Sequence, residues 1–157
     1  MILGYLKERF AAVGIRPDKD RLRKITTYSD GYPDYAQRMG LELFLEVGED
    51  GKILDSSIDF AYHEMIRSLD GDFGNYFAAF SPLEREILIA LATGKRRANG
   101  VATEVRNDMA NISKTLKRLV NYGVIERPLI GQYKLSDAVF CGWLKERYGT
   151  SLDDYSV

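Results

Sequence analysis

SPLEREILIALATG (81–94), VATEVRNDMANISKTLKRLVNYGVIER (101–127) and QYKLSDAVFCGWL (132–144) carry the reading that decides the fold. Ser81 can cap a helix, Pro82 suits its first position, and Glu84 completes an S-x-x-E capping box. Leu83, Ile87, Ala90 and Leu91 then recur at helical spacing, and Thr93-Gly94 stops the run. A short helix is expected over Val101 to Arg106, and Asn107-Asp108 makes a turn in which Asp108 caps the next helix. That helix runs from about Met109 to Tyr122 and closes at Gly123. Val124-Ile125-Glu126 and Gln132-Tyr133-Lys134-Leu135 read as a hairpin around Pro128-Leu129-Ile130-Gly131. Helix, turn, helix and hairpin in that order predict a winged helix-turn-helix, a form whose common use is DNA reading.

The second long helix has two chemically distinct faces. At about 100° per residue, Ile112, Leu116, Leu119 and Val120 share one side. Asn111, Lys114, Lys117, Arg118 and Asn121 share the other. Lys and Arg can meet phosphates or guanine, and Asn can pair with adenine in the major groove. These five residues are the candidate DNA contacts, joined by the loop cations Lys95, Arg96 and Arg97, which suit backbone phosphates. A solvated helix face would carry the same residue types. Leu129 and Ile130 at the hairpin tip suit protein docking. DNA binding and docking both stay open on these residues.

Outward from this stretch the chain reads as helical. Leu3, Leu6, Phe10 and Val13 give one amphipathic helix ending at Gly14, and Pro17-Asp18 opens a second, stopped by Asp30-Gly31. Pro33 starts a third, with Ala36, Met39, Leu43, Phe44 and Val47 as its expected buried stripe. Asp55 or Ser56 is expected to cap a fourth, in which Ile58, Ala61, Met65 and Leu69 share a face. DGDFGN (70–75), with two glycines, is the expected hinge. The fold class is therefore mainly α: an all-helical lid-like domain (1–75), a winged-helix domain with a short β-hairpin wing (76–148), and a tail (149–157).

Charge follows the same division. Residues 1–80 hold ten Lys and Arg against fourteen Asp and Glu, whereas residues 85–134 hold ten against four. The basic charge thus concentrates on the helix-turn-helix, a modest footprint for nucleic acid. The longest nonpolar run, Ile87 to Ala92, is too short to cross a membrane, and the N-terminus lacks the pattern of a signal peptide. Cys141 is the only cysteine, so no internal disulfide or cysteine-based zinc site can form. A cytoplasmic location is expected.

No residue set predicts catalysis or a metal. His63 is the only histidine, and His63-Glu64 fails H-E-x-x-H because position 67 is Arg, leaving an exposed helical histidine. Cys141 is expected to be buried and inert, and Asp70, Asp72, Asp153 and Asp154 to be solvated. No G-x-x-x-x-G-K-[ST] occurs, since Gly51-Lys52 and Gly94-Lys95 lack both the upstream glycine and the following hydroxyl.

Four segments together resemble the C-terminal half of archaeal and bacterial AAA+-type ATPases of the STAND class. YLKERFAAVGIRPDKDRL (5–22) resembles the opening lid helices, and TTYSDGYPDYAQRMG (26–40) the glycine-x-proline segment. SPLEREILIALATG resembles the first winged-helix helix. SKTLKRLVNYGVIER with YKLSDAVFCGWLKERY resembles the recognition helix, wing and closing helix. There are departures: Asp30-Gly31 stands where the family has two small residues, and Asp137 is followed by Ala138 where it has proline. The resemblance implies a lid and winged helix without their nucleotide-binding core. It places Gly31, Tyr32 and Pro33 near bound ATP or ADP in a full-length protein, whereas for this chain alone the residues themselves read as a helix stop followed by a proline-initiated helix. It implies no cofactor and no hydrolysis in this chain alone, either as a fragment or as a relic without its motor. The implied partners are the core of the parent ATPase and duplex DNA. Two other readings remain: a stand-alone regulator with a helical dimerisation domain, and a protein-interaction module without DNA.

Overall fold

The computed structural model describes residues 2–149, so the expected tail beyond Gly149, with Asp153 and Asp154, lies outside the described residues. The described residues are mainly helical with one two-stranded antiparallel sheet, and the chain divides into two compact units between Asp70 and Gly71. No described helix is long and apolar enough to cross a membrane.

The first unit packs α1 (Ile2–Ala12), α2 (Lys19–Tyr28), α3 (Pro33–Glu46) and α4 (Asp55–Ser68). Asp18 caps α2, its carboxylate accepting the Arg21 backbone N–H at 2.9 Å. The helix ends through two successive left-handed residues, Asp30 (φ 52°) and Gly31 (φ 70°), which return the Gly31 N–H to the Thr26 carbonyl at 3.0 Å. Pro33 then occupies the first turn of α3, where a missing N–H costs nothing. Leu22, Ile25, Ala36, Met39, Leu43, Ile58 and Met65 are buried between the helices. Across α2 and α4, the Asp59 carboxylate accepts from the Tyr28 hydroxyl at 2.7 Å and pairs with Lys24 at 2.8 Å.

Two sequence expectations fail here. Neither Asp55 nor Ser56 caps α4. Leu54 holds that position without a side-chain acceptor, and Asp55 is the first helical residue, where its charge meets the positive end of the helix dipole. Phe44 was expected inward but is 49% exposed, and Val47 is only half-buried. Ala36, Met39 and Leu43 fill the core side of α3, and Phe44 falls beside them on the wall of a groove of about 390 Å³. Phe10 and Gly40 also line this groove, with Tyr5, Val13 and Leu41 on its sides.

The second unit is a winged helix preceded by one helix: α5 (Asp70–Ala78), α6 (Pro82–Ala92), α7 (Ala98–Val105), α8 (Met109–Asn121), β1 (Ile125–Leu129), β2 (Gln132–Leu135) and α9 (Ala138–Tyr148). Ser81 and Glu84 make the expected capping box. The short helix α7 starts three residues before the expected Val101, and Arg106 (φ 56°) ends it in the left-handed region. Asp108 caps α8 by accepting the Asn111 N–H at 2.9 Å, and Gly123 (φ 73°) follows its last turn. The strands pair Ile125 with Leu135 and Leu129 with Gln132. The register shifts between Glu126 and Leu129, where Pro128 offers no N–H. Tyr133 donates its backbone N–H to the Arg96 carbonyl at 2.8 Å, so the loop before α7 is tied to the wing.

The segment expected as a hinge or kink holds the division between the two units, at Asp70–Gly71, but its residues are helical. Gly71 and Gly74 each cost a helix about 1 kcal/mol relative to Ala. Against that cost, Phe73 and Phe77 one turn apart bury onto α9, with Phe73 5.2 Å from Phe140 and Phe77 5.9 Å from Trp143 between ring centroids. A Cβ at either glycine meets nothing within 4 Å, and neither has a positive φ. Gly71→Ala and Gly74→Ala should therefore each stabilise the unit by about 0.5–1 kcal/mol in urea unfolding followed by fluorescence of Trp143, the sole tryptophan. Destabilisation by both would show that the segment needs glycine flexibility.

Candidate nucleic-acid interface

The site is built on α8. Ile112, Thr115, Leu116 and Leu119 are buried, which fixes the rotation of the helix about its axis. The exposed residues Ala110, Lys114, Lys117 and Asn121 then form one stripe at spacings of four, three and four, with Asn111 and Ser113 on its flanks. Lys114 and Lys117 carry no ion pair to any described residue, and Asp108 at the start of the helix is turned to its own backbone cap. The Asn111 amide donates to the Asn107 side-chain oxygen at 3.1 Å, which holds it at the start of the helix.

Arg118 differs from the other candidates. Its Nε donates to Glu84 Oε1 at 2.9 Å, across to the first turn of α6. Glu84 is the rare buried carboxylate here, 8% exposed, and its other oxygen accepts the Ser81 N–H at 2.9 Å. Burial opposes its ionisation, but the Ser81 N–H and hydroxyl and the Arg118 guanidinium outweigh that and hold its carboxyl below the usual value. One carboxylate thus closes the cap of α6 and fixes α8 against it.

The loop cations are placed unequally. Lys95 pairs with Glu104 of α7 at 3.3 Å, and its stem passes Gly100. Arg96 is pinned through its carbonyl to β2, and Arg97 is the exposed residue that precedes α7. Arg106 in the turn and Arg127 on β1 are exposed cations that sequence reasoning missed. Arg106 sits in a turn the sequence placed inside a helix, and Arg127 lies over the Tyr133 ring at 5.6 Å, a cross-strand contact with no sequence signal. Of the other residues singled out, His63 is exposed. Cys141, expected to be buried, is half-buried, and that burial pushes its thiol up against the pull of Lys145 and Arg96, so it is a weak nucleophile. Gly31, Tyr32 and Pro33 lie together on the surface of the first unit at the α2–α3 turn, with Tyr32 54% exposed and packed edge-on to Tyr35 at 6.0 Å.

Fold and site together define a mainly helical protein with a winged helix whose recognition-type helix presents cations and amides. The fold recurs in the solved structure of the Walker-type ATPase Paby2304 of Pyrococcus abyssi, at 18% identity and a TM-score of 0.75. The match covers 91% of this chain but 40% of that one, and at this identity it is a likeness of fold. No protein-family model matches the chain, and no curated protein matches its sequence.

Replacing Glu84 with Ala removes a cap and a charged hydrogen bond, a loss of about 2 kcal/mol in urea unfolding. Glu84→Gln keeps the cap and should lose about half of that. Because the native carboxyl titrates below its ordinary 4.5, its contribution is complete above that pH and is lost as pH falls through the lower native value. The wild-type advantage over Glu84→Gln should therefore vanish in acid. An advantage that persists unchanged below the native value contradicts the charged pair.

Proposed function

We propose that this chain is a non-catalytic module, a helical lid followed by a winged helix, from the C-terminal half of a STAND-class AAA+-type ATPase. The observation that carries this reading is the shared fold over 91% of this chain and 40% of a Walker-type ATPase. The absence of a Walker A sequence agrees with a module that does not hydrolyse ATP alone. In the first unit, Leu41, Phe44 and Leu45 of α3 are 59%, 49% and 69% exposed at i, i+3 and i+4. That is the spacing by which a helix buries a stripe on a partner, and the nucleotide-binding core is the partner in this reading. Gly31, Tyr32 and Pro33 then face ATP or ADP held by that core. The expected result is a native transcript that runs upstream of Met1 into a G-x-x-x-x-G-K-[ST] sequence, or a Walker protein that co-purifies with the chain. A transcript starting at Met1, with no such co-purifying protein, contradicts the reading.

A second role is favoured by one observation, the stripe of Lys114, Lys117 and Asn121 with no carboxylate paired to it. We infer that α8 enters the major groove of duplex DNA, its two lysines on phosphates and its amides toward base edges. Docking of the same face on a protein is the competing use. Mobility shift of a 30-bp duplex across a salt series separates them (about 50 to 200 mM). Binding should fall steeply with salt, and Lys114→Ala with Lys117→Ala should lower the log–log slope by about two. Retention unchanged by the double substitution removes α8 from the interface. Arg118→Ala is expected to act mainly through stability, because Glu84 holds that side chain.

A further inference from the structure

The wing tip holds the most exposed aliphatic side chain among the described residues of the second unit. Ile130 is 96% exposed and Leu129 63% exposed. Both sit where a chain would ordinarily place polar turn residues. The tip is stiff: Pro128 fixes one backbone angle, the turn spans Ile130 and Gly131, and Gly131 (φ 73°) takes the left-handed position that this tight reversal needs. From Arg127 to Lys134 the sequence RPLIGQYK has no acidic residue. Arg127 has no carboxylate partner among the described residues, and the Glu126 carboxylate is drawn to Lys134 at 2.8 Å. A rigid apolar point with a cationic base is therefore presented beside α8, whose C-terminal turn leads directly into β1.

We propose that this tip is a wedge, with Leu129 or Ile130 entering a base step of duplex DNA from the minor groove while α8 occupies the major groove. The proposal rests on the DNA reading of α8. Two physical arguments favour nucleic acid over protein as the occupant. Three side chains cover far less than the roughly 800 Å² per partner of a stable protein interface. Apolar Leu, Ile and Pro side chains backed by cations are also the groups that unstack base steps and kink the duplex, where the cations meet the flanking phosphates. A stiff tip suits insertion because little conformational freedom is lost on entry.

The test is closed-circular plasmid relaxed by topoisomerase I in the presence of the full chain and then deproteinised, since partial unstacking unwinds DNA wherever the protein sits. Wild type should leave topoisomers of lowered linking number. Leu129→Ser with Ile130→Ser should leave the distribution of DNA alone, at a protein concentration adjusted to equal retention in a mobility shift. Both side chains are exposed, so the variant should melt with wild type when followed by Trp143 fluorescence. A wild-type chain that binds plasmid without moving the topoisomers overturns the wedge, leaves the α8 reading standing and gives the tip to a protein partner. A shift that the double serine variant keeps also overturns it. A wild-type chain that does not bind plasmid at all overturns both.

Discussion

The carboxylate of Glu84 is the point on which the second unit depends. It accepts the Ser81 N–H at the start of α6 and the Arg118 Nε–H in the last turn of α8, with Glu84 and Arg118 34 residues apart in the chain. Held at both ends, it fixes how the buried face of α8 meets α6, and hence which side of α8 is left to solvent. The buried Ile112, Thr115, Leu116 and Leu119 set the rotation of α8, and the charged hydrogen bond that the nearly buried carboxylate accepts has a narrow geometry that reinforces it. The exposed lysine stripe results from both constraints. A buried carboxylate left without its guanidinium would favour protonation, so the pair also links the interface to pH.

Around this contact the unit is assembled from local stops and long-range aromatic burial. Asp108 and Asp137 cap their helices with their own carboxylates, which keeps two negative charges turned to backbone N–H groups. The stack of Phe140 on Trp143, with Phe73 and Phe77 against it, joins α5 to the last helix and gives this small unit a core beyond the three-helix centre. The Tyr133 bond to Arg96 ties the basic loop to the wing. The result is a frame carrying a cationic helix and an apolar tip, while α3 of the first unit leaves the apolar stripe of Leu41, Phe44 and Leu45 exposed.

Much of this was legible in the sequence where one residue acts on its near neighbours. Ser81 with Glu84, Asp18, Asp108, Gly31 and Gly123 each mark a helix end through a bond or a backbone angle spanning a few residues, and all of them act as read. The misreadings came from tertiary forces. Gly71 and Gly74 mark the segment where the units divide, but the aromatic partners that hold α5 helical through them lie more than sixty residues away. Phe44 fits a periodic stripe, yet the core side of α3 is filled without it. Arg118 falls on the polar side of a helical wheel, which cannot show the carboxylate waiting on another helix. The candidate interface was thus legible as a set of residue types on one face, and its division into clamped and solvent-facing cations was not.

The most direct measurement of the central claim is an NMR titration of the isotope-labelled chain with a short duplex, followed at each backbone amide. The account predicts that shifts concentrate at Ala110, Lys114, Lys117 and Asn121 and at the tip residues Leu129 to Gly131. The amides of α1 and α3 should stay in place. Shifts that centre on α3, or a spectrum that does not move at low salt, would contradict it.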